Sequence, residues 1–128
     1  MLTLYILNTN ELNKSVGVLL NSLIGLYDRY VVVESTEMIN EDLKTTDWYS
    51  VFYDNEYVSE DLFQAIKSIM GFEFIPYDAL IFLKKDGEKM FQSPRMFKKQ
   101  VTLKPNSLMP DLEYAIFERI LDGWIHTG

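Results

Sequence analysis

Leu2, Leu4, Tyr5, Ile6 and Leu7 make a nearly unbroken apolar run that stops at Asn8-Thr9-Asn10. A run of β-formers ending in such residues predicts a strand and then a turn into a helix, with Thr9 or Asn10 as the cap. Leu12, Val16, Leu19, Leu20, Leu23 and Ile24 follow at helical spacing and predict one apolar face. Residues 30–33, Tyr-Val-Val-Val, read as a short strand covered on both sides. Strand, helix and strand within residues 2–33 make a βαβ unit, whose handedness rule sets the two strands parallel.

Beyond a polar stretch with a helical turn near 40–44, residues 48–53 predict a third strand. Ser59 is a helix cap, with Glu60 and Asp61 in the first turn, where the helix dipole favours acids. Leu62, Ile66, Ile69 and Met70 supply that helix's buried stripe and Gly71 ends it. Residues 79–84 and 88–92 flank Lys85-Asp86-Gly87, the signal of a tight hairpin. Pro94 demands an edge or a bend, and 95–103 reads as a further strand. Leu112, Ile116, Ile120 and Trp124, joined by Phe117 and Leu121, predict a C-terminal helix over 108–125, with Pro110 in its first turn. The expected architecture is a single α/β domain over 1–128. It is a small Rossmann-like layered sheet, parallel at first and mixed at the hairpin segment 79–104.

Composition adds limits. A chain of 128 residues suits one domain, and 48% hydrophobic with 24% charged residues is ordinary for a globular one. With no cysteine, disulfides, thiolate metal sites and cysteine catalysis are excluded. No stretch approaches 18 apolar residues, and Met1 runs into LTLYILN without a basic flank, so a soluble, cytoplasmic protein is expected. His126, the single histidine, stands near the end, which argues against a His-centred triad.

The net charge of −7 is uneven. Residues 84–104 hold seven of the twelve basic side chains and two acids, a local +5 that leaves −12 elsewhere. Nucleic acid is a poor partner for such a body and conceivable only for the basic segment. A protein partner or a second copy docking on Lys84–Lys104 fits better, the competing account being a solvated hairpin face.

In open α/β sheets, ligands gather beyond the carboxyl ends of the parallel strands, here loops 8–10, 34–37 and 54–56. Asp54 and Glu56, one residue apart, can project the same way from a strand end and share Mn²⁺ or Mg²⁺ bridging a diphosphate. The plainer account is acids facing water.

Together, LTLYILNTNELNKSVGVLLNSL, VVVESTE and DWYSVFYDNEYVSEDLFQAI resemble the nucleotide-sugar-binding half of a GT-A type glycosyltransferase of the family 2 kind. Glu34-Ser35-Thr36 matches the acid and Ser-Thr pair after an early strand. Asp54-Asn55-Glu56 matches an Asp-x-Asp-like motif, and Ser93-Pro94-Arg95-Met96-Phe97 a later Pro-Arg-x-Phe element. The resemblance covers residues 2–101. It implies nucleotide contacts from Asn8, Glu34 and Arg95, with a metal and the diphosphate of a nucleotide-sugar held by Asp54 and Glu56.

The departures carry weight as well. Only 20 positions separate Glu34 from Asp54, where the family places a further helix and strand, and no acidic base with an aromatic acceptor loop follows Arg95. The resemblance therefore implies a shortened relative without catalytic residues, a non-catalytic binding or structural accessory module of a larger assembly. The alternative is a metal-dependent nucleotide-sugar-binding glycosyltransferase that borrows a wall from a partner subunit. Brevity and the spare, cysteine-free core also resemble phage-encoded proteins, which would place the chain in a host cytoplasm or a virion.

Overall fold

The computed structural model describes residues 1–8 and 16–127. Its strands are β1 (Leu2–Leu7), β2 (Tyr27–Val33), β3 (Trp48–Tyr53), β4 (Glu56–Val58), β5 (Ala79–Asp86), β6 (Lys89–Lys98) and β7 (Phe117–Thr127). The helices are α1 (Val16–Ser22), α2 (Thr36–Glu41) and α3 (Glu60–Met70). The capping roles read for Thr9 and Asn10, and the apolar face at Leu12, lie outside the described residues.

β1 and β3 are buried almost throughout because both sheet faces are covered there. Strand side chains alternate, so Leu2, Leu4, Ile6, Trp48 and Phe52 meet Leu19, Leu23, Leu62 and Ile66 on one face. Tyr5, Leu7, Tyr49 and Val51 point the other way, onto Ile39 of α2 and onto Val101 and Leu103. α3 forms as its sequence predicts, with the Ser59 hydroxyl accepting from the Leu62 N–H and Leu62 and Ile66 buried. α2 starts four residues earlier than its expected turn, because Ser35 caps it.

The layered, Rossmann-like expectation is overturned. All the strands join one curled, half-barrel sheet in the order β2-β1-β3-β6-β5-β7-β4. β1 runs parallel to β2 and β3, and β5 to β7, but β6 is antiparallel to both its neighbours and β4 to β7. Strand content exceeds helix content about twofold, 44% against 20%, so few helices are available to layer the sheet. The curl follows from connectivity. β3 and β4 are joined by Asp54-Asn55 alone, yet β4 stands four places from β3 in the sheet, so the sheet bends back toward its own middle.

The C-terminal helix is overturned too. β7 takes up the second half of that stretch, and Leu112, Tyr114 and Ile116 before it are exposed. The i+4 spacing of 112, 116, 120 and 124 is a coincidence, since 112 and 116 precede β7 and only 120 and 124 lie on its irregular course. Against β5, Phe82 pairs with Ile120 but Lys84 with Ile125, so residues 121–124 bulge out of the ladder. Gly123 makes the bulge possible. Its φ is +78°, and a Cβ there would lie 2.3 Å from the Leu62 nitrogen and 2.4 Å from the Ser59 Oγ. The bulge thus abuts the first turn of α3, where the Ser59 Oγ also accepts from the Trp124 N–H at 3.0 Å.

A second bulge matters for the site. Leu80 pairs with Met96 but Ile81 with Pro94, so Arg95 is the extra residue of β6. Pro94 is tolerated inside the strand because it sits at that irregularity.

Gly123→Ala should destabilise the protein by about 3 kcal/mol or more, since it strains φ and drives a methyl into the α3 cap. Urea unfolding measures this, and a loss under about 0.5 kcal/mol would contradict the close approach.

Candidate functional site

The strand β3 loses its neighbour halfway. Pairing with β6 runs Trp48 to Lys98, Tyr49 to Phe97 and Ser50 to Met96, then stops at the Arg95 bulge. The backbone groups of β3 beyond that point would be buried without partners, a cost of about 1–3 kcal/mol each. Two side chains take the place of the ladder. The Arg95 Nη1–H donates to the Val51 carbonyl at 3.3 Å, and the Tyr53 N–H donates to Glu56 Oε1 at 2.6 Å.

Arg95 and Glu56 are fully buried and paired with each other. Nη1 reaches Oε1 at 2.6 Å and Nη2 reaches Oε2 at 2.8 Å, the two-pronged geometry that favours arginine over lysine. The Arg95 Nε–H donates to the Ser93 Oγ at 2.8 Å, and the guanidinium lies 5.3 Å from the centre of the Tyr53 ring. Lys84 of β5 adds a second cation, its Nζ 2.6 Å from Glu56 Oε2 and 5.3 Å from the same ring. Each Glu56 oxygen therefore accepts two bonds, which fills the carboxylate's acceptor capacity. Burial alone would raise the Glu56 pKa, but Arg95, Lys84 and the Tyr53 N–H outweigh it and hold the carboxyl below its ordinary range.

Asn8 and Glu34 come together elsewhere. With Ser35, Thr36, Tyr53 and Asn106 they line a cleft of about 200 Å³ beyond the carboxyl ends of β1, β2 and β3, where the sequence pointed. The Ser-Thr pair has structural work there. Ser35 caps α2, while the buried Thr36 Oγ1 donates to the Lys104 carbonyl and accepts from the Asn106 N–H, fastening the loop that forms one wall. Asp54 is buried in the turn between β3 and β4, its N–H bonded to the Leu7 carbonyl at 3.1 Å. Of the five residues singled out from sequence, Asn8 and Glu34 share the cleft, and Glu56 and Arg95 share an ion pair that does not line it. Lys84, Tyr53 and Asn106 were not among them. Lys84 and Arg95 carry no local sign of a partner, because Glu56 precedes Arg95 by 39 residues.

The basic segment also changes character. Arg95 and Lys84 are committed to Glu56, Lys99 reaches Asp47 at 3.7 Å, and Lys85 and Lys98 lie over the rings of Trp124 and Phe74. Two of its seven cations are thus turned inward onto Glu56, while Lys89, Lys99 and Lys104 stay exposed. At the β4 edge, the His126 ring stacks on Tyr57 and its Nε2 accepts the Trp124 indole N–H at 2.6 Å. Burial, then the charge of Lys85, lowers the His126 pKa and favours the neutral ring.

No family model matches the chain, and no curated protein does either. Among the described residues, no helix is long and apolar enough to cross a membrane.

The Glu56 carboxyl titrates lower in the folded chain than in the unfolded one, where 4.5 is ordinary. Its stabilisation is present above that value and is lost as pH falls through the folded pKa. Glu56→Gln should therefore cost about 3–5 kcal/mol at pH 7 by stranding Arg95, and flatten the acid limb of stability. Denaturant titrations from pH 7 to pH 3 check both, and an unchanged acid limb would contradict the assignment.

Proposed function

We propose that the chain is a non-catalytic binding module that serves within a larger protein assembly. The observation that carries this reading is the complete engagement of Glu56 by Arg95, Lys84 and the Tyr53 N–H. A metal–diphosphate clamp needs carboxylate oxygens free to bind a cation, and here the acid that would supply them holds the sheet together. Arg95 likewise spends its guanidinium on Glu56, Val51 and Ser93 and leaves little to receive a phosphate. The rim cleft of about 200 Å³ also falls short of the ~300–1,000 Å³ of ordinary small-molecule sites. Exposed apolar side chains such as Phe72 and Phe74 suit binding between proteins.

One observation favours a second reading. Asn8 and Glu34 meet at the carboxyl ends of parallel strands, the usual place for a ligand. This suits a glycosyltransferase that binds a nucleotide-sugar with Mn²⁺ or Mg²⁺ and completes its site with a partner subunit.

Thermal melts with UDP- and GDP-sugars plus Mn²⁺ separate the two. A ligand at a hundredfold excess over Kd stabilises by about 2.7 kcal/mol, a rise of several degrees. The module reading predicts no rise. A clear rise that Glu34→Gln abolishes would establish the second reading, since Glu34 is exposed and its replacement should leave the fold intact.

A further inference from the structure

The end of the sheet opposite the rim cleft carries a different surface. After α3, residues 71–77 (Gly-Phe-Glu-Phe-Ile-Pro-Tyr) pass to β5 and leave Phe72 64% and Phe74 77% exposed. On one side of this ridge lies a cleft of about 480 Å³ with Trp48, Met70 and Lys98 in its wall. On the other side, a cleft of about 390 Å³ is lined by Ile69, Tyr77, Leu80 and Ile120. Phe72, Phe74 and Ile75 belong to both. The exposed Ile116, hydrogen-bonded through its backbone to Asp78, extends the apolar ground.

We infer that this end of the molecule is a two-fold self-association surface, on which Phe72 and Phe74 of one copy enter the apolar cleft of another. The inference rests on the interaction-module reading above and names its partner. A two-fold interface uses the same patch on both copies, so the patch must hold both the projecting and the receiving element. This one does, because the ridge forms a wall of the cleft it would fill.

Charge selects the partner. The chain carries −7, which opposes contact between copies over most of its surface. The side chains lining the two clefts balance instead, Asp47, Glu73 and Glu118 against Lys98, Lys99 and Arg119. A neutral patch with both signs at its edge lets two acidic chains approach and pair opposite charges across the axis. A strongly basic partner would gain nothing here over the acidic remainder of the surface. In area, the two phenylalanines expose roughly 280 Å², counting about 200 Å² for each ring side chain, against the ~800 Å² per partner of a standard interface. They would be its anchors, with the cleft walls and Ile116 supplying the surround.

Sedimentation velocity over a dilution series to several hundred micromolar tests this, with circular dichroism to confirm that variants stay folded. The full chain should double in mass. Phe74→Asp and Phe72→Asp should each weaken dimerisation at least about tenfold. A monomer at every concentration overturns the inference and points to a different protein on the patch. A dimer that ignores both substitutions but dissociates on Val32→Lys, at the free edge of β2, overturns it in favour of strand pairing. Failure here leaves the module reading standing, because only nucleotide-sugar binding in the thermal melts removes that.

Discussion

A buried carboxylate gripped by two cations holds this sheet where its backbone ladder gives out. β3 and β6 separate after Ser50 and Met96 because Pro94 and Arg95 break the ladder, and β4, joined to β3 by two residues of chain, pairs with β7 at the far end of the strand order. Glu56 sits at the start of β4, Arg95 in the bulge of β6 and Lys84 on β5. One cluster therefore joins three strands and satisfies two backbone groups of β3. The energetics are asymmetric. Assembling the pair roughly balances its own desolvation, but removing either partner strands a charge in the interior at about 3–5 kcal/mol. The cluster adds little net stability and much specificity, because strand arrangements that separate Glu56 from Arg95 carry that cost.

The same asymmetry bears on function. A carboxylate can hold a cation or an arginine fork, and Glu56 holds the fork. The end of the sheet where ligands commonly bind keeps a small cleft at Asn8 and Glu34, which the Glu56–Arg95 pair does not line. The opposite end keeps exposed aromatics and larger hollows. That distribution is what the proposed binding-module reading draws on.

The first half of the chain was largely legible. Where both faces of a strand are covered, an apolar run suffices to find it, as at β1 and β3. Ser59 marked α3 because capping is a local interaction that spacing reveals. The second half was not legible, for physical reasons. Leu112, Ile116, Ile120 and Trp124 fit a helix only if Gly123 is ignored, and its φ of +78° belongs to a bulge. The curl depends on which strands pair across long separations, which no local pattern encodes. The acids of the 54–56 motif were visible as acids, but the role of Glu56 was decided by cations 28 and 39 positions later. For the same reason the positive segment looked like an external patch in sequence, although two of its charges lie against Glu56.

A double-mutant cycle on Glu56→Met and Arg95→Met measures the cluster most directly. The account predicts that each single change is costly while the double variant recovers much of the loss, a coupling above about 2 kcal/mol in urea unfolding. Costs that add to within about 0.5 kcal/mol would contradict it, showing that the two side chains do not act as one buried unit.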